Sequence, residues 1–230
     1  MYKGKTFLAI VPARGGSKRL PKKNLLPLSG KSLVEWSIEA GLKSNYIDEV
    51  AVTSDNNEIL KLAQKSGATI IQRPEELASD TATTFDAIKH TIDNLIKYDY
   101  IILLQPTSPL RNYYHIDSAI EFLEEKEAEA VISVCEVDHS PLWSNTLDES
   151  LDMSNFLRSE IKNIRSQDLP QYYRLNGAIY ICDTNRLLEE KTFFLQNNIY
   201  AFLMNRESSI DIDEEIDFKM AEFLLEREKR

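Results

Sequence analysis

The chain has 230 residues, 43% of them hydrophobic, which is enough for one sizeable core and too little for several large domains. A formal net charge of −10 excludes a general binder of nucleic acid or membrane surfaces, since neither polyanion favours such a surface. The two cysteines, Cys135 and Cys182, lie in apolar stretches without a CxxC or Cys/His cluster for zinc, and read as buried free thiols.

The apolar run over residues 7–11 predicts a buried strand. It feeds into Pro12-Ala-Arg-Gly-Gly-Ser-Lys18, and then Lys23-Asn24. Between Ile10 and Val34 there are six basic side chains and no acidic one. Gly15 and Gly16 let the backbone approach a ligand with its N–H groups turned inward. Arg14, Lys18 and Lys23 supply charge for an anion, and a polyphosphate suits them best. On charge alone the competing reading is a solvated basic loop. Gly30-Lys31-Ser32 has the form of a Walker A ending, but position 25 is Leu where glycine is required, so a P-loop is excluded. Ser32 and Glu35 instead fit a capping box at the head of a helix over residues 33–43.

Further strands are predicted at 50–53, 68–71, 100–104, 130–135, 178–182 and 200–203. Helices are predicted at 57–66, 84–96, 115–125 and 214–228; in the last, Ile216, Met220, Phe223 and Leu224 share one face. The alternation implies an α/β fold with a mostly parallel sheet covered by helices on both sides. Ligands bind such sheets at the carboxyl ends of the strands. The cationic loop, Ser54-Asp55 and Gln105-Pro-Thr-Ser-Pro-Leu-Arg111 all follow strands and are expected to border one crevice. The pattern breaks over residues 136–173, which read as an insertion whose scattered apolar side chains favour a dimer contact. No signal peptide or membrane-length apolar run is found, so a cytoplasmic protein is expected.

Near the C-terminal end, Asp211-Ile-Asp213 places two carboxylates at i and i+2. In an extended segment both face one side, which suits Mg2+. Asp213 as a simple helix cap is the alternative. Asp138-His139-Ser140 contains triad residue types, but adjacent residues do not converge as a triad.

Five segments, in order and across nearly the whole chain, resemble the bacterial CMP-N-acetylneuraminate synthetases, or acylneuraminate cytidylyltransferases. They are the cationic loop with Lys23-Asn24, Arg73-Pro-Glu-Glu-Leu-Ala-Ser-Asp-Thr-Ala82, residues 105–111, Asn176-Gly-Ala-Ile-Tyr180, and Ser209-Ile-Asp-Ile-Asp213. The resemblance implies a single Rossmann-like nucleotide-binding domain over 1–230, with 136–173 inserted for dimerisation. It implies transfer of CMP from CTP to the anomeric hydroxyl of a nonulosonic acid, with release of pyrophosphate. Arg14, Gly15, Gly16, Lys18, Lys23 and Asn24 would then lie on the CTP side, with Arg73, Ala82 and Thr84 near cytosine and ribose. Gln105, Tyr180, Phe193 and Phe194 would line the acyl-sugar pocket, and Arg165 would reach it across a homodimer. Asp211 and Asp213 would hold Mg2+. One departure bears on the sugar. The family's sialic acid enzymes carry lysine after the Pro-Leu of the insertion, and Trp143 stands there in His139-Ser-Pro-Leu-Trp143. That makes legionaminic acid or another relative plausible beside N-acetylneuraminic acid. A glycosyltransferase with an Asp-x-Asp pair and a non-catalytic nucleotide sensor are the competing classes.

Overall fold

A computed structural model describes residues 1–17, 19–79 and 81–228. The first strand, β1 (Phe7–Pro12), sets the frame. Phe7, Ala9 and Val11 are buried on one side of it and Leu8 and Ile10 on the other, so both faces need cover. A two-stranded hairpin, β2 (Pro27–Leu28) and β3 (Lys31–Ser32), leads into α1 (Leu33–Lys43). Ser32 and Glu35 form the capping box there, with Ser32 N–H donating to Glu35 Oε2 at 2.8 Å. The chain continues through β4 (Glu49–Ser54), α2 (Asn57–Lys65), β5 (Thr69–Gln72), α3 (Thr84–Asp93), β6 (Tyr100–Leu103), α4 (Tyr113–Glu125) and β7 (Ala130–Glu136). It ends with β8 (Tyr173–Asp183), α5 (Thr184–Glu190), β9 (Ile199–Leu203) and α6 (Glu215–Glu228).

Among the described residues seven strands form one sheet in the order β5-β4-β1-β6-β8-β7-β9. All neighbours are parallel except at β8, which runs antiparallel to β6 and β7. Ile38 of α1, Ile59 of α2 and Ile120 of α4 are buried with Phe7, Ala9 and Val11 on one face. Ile88 of α3 and Leu187 of α5 are buried with Leu8 and Ile10 on the other. The strand order turns back at β1, where β4 lies on one side and β6 on the other. The loops leaving β1 and β6 therefore diverge and open a crevice between them. Because β8 is reversed, its first residues come to this same end of the sheet. So does the chain after β9, which leads to Asp211 and Asp213.

Between Glu136 and Tyr173, which pair with each other, the chain leaves the sheet. It makes three short 3-10 turns, Pro141–Trp143, Ser159–Ile161 and Ser166–Asp168. Three readings of local structure need correction. Residues 184–190 form α5, a helix too short to show periodicity, capped by Asp183 through Asn185 N–H and Arg186 N–H at 2.9 and 3.0 Å. The strand expected at 178–182 begins earlier, at Tyr173, because its polar first half lies against β7. In α6, Ile216, Met220 and Phe223 of the expected stripe are exposed and Leu224 is half-buried, while Ala221 and Leu225 are buried against Leu28, Leu33 and Ile212. Both stripes satisfy helical spacing, and the shape of the receiving surface selects the second.

Candidate active site

The cationic loop is held from beneath by backbone and side-chain bonds. Ala13 N–H donates to Thr53 O at 3.0 Å, extending the β1–β4 ladder by one bond. Asn24, buried, donates from Nδ2 to Arg14 O at 2.9 Å. Gly15 N–H donates to Asp55 Oδ1, also at 2.9 Å. Gly15 lies so close to α2 that a Cβ there would stand 2.8 Å from Asn56 Nδ2. Asn56 cannot easily yield, because its Oδ1 caps α2 through Glu58 N–H and Ile59 N–H. The same Asp55 faces Arg73, whose Nη2 lies 3.8 Å from Oδ1. Arg73 is only 6% exposed, and among the described residues its Nε and Nη2 find no hydrogen-bond partner. Burial pulls its pKa down. A buried guanidinium with unused N–H groups at the wall of a crevice is built to receive an acceptor.

That crevice has a volume of about 460 Å³. Arg14, Gly16, Lys23, Asn24, Arg73, Ala82, Thr84, Gln105 and Asp213 all line it. Gly15 lies just behind, and Lys18 falls outside the described residues. Arg19 and Thr107 line it as well.

Asp211 and Asp213 approach it from the loop before α6. Ile212 N–H donates to Thr107 O at 2.7 Å, fixing this segment to the loop after β6. Asp211 keeps an exposed surface and, unlike Asp213, is not among the residues lining the crevice, although protein crowds its carboxylate. Burial raises its pKa, and the Asp213 charge adds to the effect against a bond from the Thr107 side chain. Asp213 is the reverse case. Lys23 Nζ lies 3.0 Å from Oδ1 and Arg19 Nη1 2.9 Å from Oδ2, and the Lys23 bond leads in holding its carboxyl below the usual range. The helix-cap reading of Asp213 is overturned. Asp217 Oδ2 accepts from Asp213 N–H and Glu214 N–H at 3.0 and 2.8 Å, while the Asp213 carboxylate turns to the cations. Arg19 carried no signal in the sequence beyond its place in the basic run, and Thr107 none beyond its segment.

Gly177, Tyr180, Phe193 and Phe194 are not in the crevice lining, but Gly177 lies beside both Gln105 and Asp211. Gly177 has φ +72°, and a Cβ on it would stand 3.0 Å from Gln105 Oε1, 3.2 Å from Ser108 Oγ and 3.5 Å from Asp211 Oδ2. The missing side chain is what brings Gln105 and Asp211 together. Asn176, fully buried, accepts from Ser133 Oγ at 2.6 Å and donates to Ser209 Oγ at 2.9 Å, tying β8 to β7 and to the acidic segment. Tyr180 packs its ring 5.8 Å from that of Phe193 and 6.3 Å from that of Phe194, which is exposed. Burial, with Asp211 nearby, raises the Tyr180 pKa. Beneath this region Arg111 is 1% exposed and donates from Nη2 to Ser37 Oγ at 2.7 Å and to Gln105 O at 3.3 Å. Trp143 and Arg165 sit in the 137–172 segment and do not line the crevice of their own chain.

The family model for cytidylyltransferases matches residues 8–229. The chain belongs to the cytidylyltransferase family. It is 37% identical over 225 residues to an N-acylneuraminate cytidylyltransferase of Escherichia coli O18:K1:H7, covering 97% of this chain and 53% of that one. The chain thus spans about half the length of that relative. It is 36% identical over 234 residues to a CMP-N,N'-diacetyllegionaminic acid synthase of Legionella pneumophila, covering 96% of each. Among solved structures, a CMP:2-keto-3-deoxy-manno-octonic acid synthetase complexed with CTP superposes with a TM-score of 0.73 at 18% identity, over 97% of this chain and 99% of that one. At that identity the likeness speaks for the family fold. Among the described residues no helix is long and apolar enough to cross a membrane.

Proposed function

We propose that this chain transfers CMP from CTP to the anomeric hydroxyl of a nonulosonic acid and releases pyrophosphate. The observation that carries the reading is the meeting, in one crevice at the turning point of the sheet, of a cationic loop with a paired-carboxylate segment. CTP carries roughly four negative charges near neutral pH. Arg14, Lys23 and, by its place in the loop, Lys18 supply charge to the triphosphate and to the pyrophosphate that leaves. Gly15 and Gly16 let the backbone come close, and Asn24 fixes the loop through Arg14 O. The unused N–H groups of Arg73, with Ala82 and Thr84 in the same lining, suit cytosine and ribose. Gln105, Tyr180, Phe193 and Phe194 offer the acid one amide and an apolar wall.

Mg2+ belongs to this reading. Two hard carboxylates, close enough that Asp213 raises the pKa of Asp211, suit it as a donor pair, and phosphate oxygens would complete the set. When bound, it would polarise the phosphoryl oxygens. A homodimer is also part of the proposal. The segment leaving the sheet exposes Leu147, Leu151 and Met153, and Tyr173 and Leu175 stay open beside it. A second copy would cover them, and would let Arg165 and Trp143 reach a neighbouring crevice. Free Cys135 and Cys182 suit the reducing cytoplasm, where the reading places the enzyme.

The sugar has two readings. Trp143 brings apolar area and one N–H donor but no charge, which favours a deoxy, diacetamido acid of the legionaminic type over the hydroxylated tail of N-acetylneuraminic acid. The test is pyrophosphate release from CTP and Mg2+ with N-acetylneuraminic, N,N'-diacetyllegionaminic and pseudaminic acids. Turnover with at least one supports the reaction class. CTP binding without pyrophosphate release from any of the three would refute it.

A further inference from the structure

Both carboxylate oxygens of Asp213 are already engaged, Oδ1 by Lys23 at 3.0 Å and Oδ2 by Arg19 at 2.9 Å. Lys23 is 12% exposed and also donates to Ile212 O at 2.5 Å, so its ammonium is well seated. Arg19 reaches in from the solvent side, 65% exposed. Both cations line the crevice that the triphosphate would enter. A divalent cation on Asp213 would bring two further positive charges beside these two cations, and so competes with both for one carboxylate charge. A triphosphate, with several charges and many acceptor oxygens, outcompetes a single carboxylate for both.

We propose that Asp213 exchanges partners as the site loads. Lys23 and Arg19 neutralise it in the nucleotide-free protein; the triphosphate then draws them away and releases the carboxylate to the metal. This rests on Asp211 and Asp213 being the metal ligands. It makes Arg19 a functional residue alongside Lys23. It also makes nucleotide and metal binding mutually reinforcing, since coupling between two sites is reciprocal. Metal binding to the nucleotide-free chain is accordingly weak, because the cations hold its ligand.

The test is Mn2+ binding to the nucleotide-free chain, followed by the electron paramagnetic resonance signal of the free ion. Working in about 0.5 M KCl shortens the screening length to about 4 Å, so that contact effects remain and long-range ones fade. Wild type is compared with Arg19→Gln and Lys23→Gln, each with and without Asp213→Asn. Arg19 is largely exposed, so its substitution leaves the core intact. The expected result is Mn2+ binding roughly fivefold tighter or more in each single variant, within the range usual for coupled sites, and loss of that gain when Asp213→Asn is added. If neither variant binds Mn2+ more tightly than wild type while Asp213→Asn weakens binding, the exchange is overturned and the metal assignment stands. If Asp211→Asn and Asp213→Asn both leave Mn2+ binding unchanged, the metal assignment falls and the exchange with it.

Discussion

Gly177→Ala separates the backbone requirement of the site from its chemical one. The native φ of +72° is left-handed, which costs a side-chain-bearing residue about 1–2 kcal/mol. For a chain of this size each kcal/mol moves Tm by about 2–4 °C, so a fall of roughly 2–8 °C is expected. The new Cβ would also stand 3.0 Å from Gln105 Oε1 and 3.2 Å from Ser108 Oγ. Ser108 Oγ is tied to Asn176 O at 3.2 Å and yields little, so Gln105 should swing by a few tenths of an ångström. A misplacement of about 1 Å can cost a hundredfold, and this smaller one should cost roughly tenfold in kcat/KM for the acid. KM for CTP should stay near wild type, because the cationic loop proposed for the triphosphate is fixed by Asn24 and Asp55 elsewhere. The assay is steady-state pyrophosphate release, varying each substrate in turn, with Tm measured alongside. A lowered Tm with unchanged kinetics for the acid would show that Gly177 serves only the backbone.

Arg14→Ala should lower kcat/KM for CTP about tenfold or more, since hydrogen bonds to charged groups contribute about 1.5–3 kcal/mol; unchanged CTP kinetics in a folded variant would remove it from the site. Mixing an Arg165→Ala protein with a separately inactive Asp211→Ala protein should restore some activity through hybrid dimers. A fully active monomer by light scattering would contradict that expectation. Trp143→Lys should shift the ratio of kcat/KM values toward N-acetylneuraminic acid; an unmoved ratio would take Trp143 out of specificity. Asp99 accepts from Thr6 N–H and Thr6 Oγ1, each at 2.8 Å, and the backbone bond leads in lowering its pKa. The folded pKa is depressed, so this stabilisation is complete above the ordinary value of about 3.9 and is lost as pH falls through the folded value. Asp99→Asn should therefore flatten Tm against pH on the acid side of the ordinary carboxylate value of about 3.9, and a profile as steep as wild type would refute the assignment.

The sheet was legible because its strands are apolar runs of strand length set between amphipathic helices, as at residues 7–11 and 100–104. The capping box at Ser32 was legible because it is a local pattern. What sequence could not supply was choice among equal patterns. The α6 stripe of Ile216, Met220 and Phe223 has the same spacing as the buried one through Ala221 and Leu225. Only the hollow formed by Leu28, Leu33 and Ile212 decides between them. The crevice residues were legible as short segments following strands. Partners far apart in sequence were not: Arg19 and Asp213 are 194 positions apart, and no periodicity joins them. The reversal of β8 was equally hidden, yet it brings Gly177 to the same end of the sheet as Gln105.

Arg111 has a consequence of a different kind. Burial lowers its pKa to about 9, still above neutral, so the guanidinium remains a cation in the interior beneath Gln105. The attraction of the cationic loop for anions is eroded by dissolved salt, because counterions gather around exposed charges. They cannot gather around a side chain with 1% of its surface open. The charge beneath Gln105 is therefore the part of the local field that dissolved salt weakens least, a fixed bias set by the fold and not by the surrounding electrolyte.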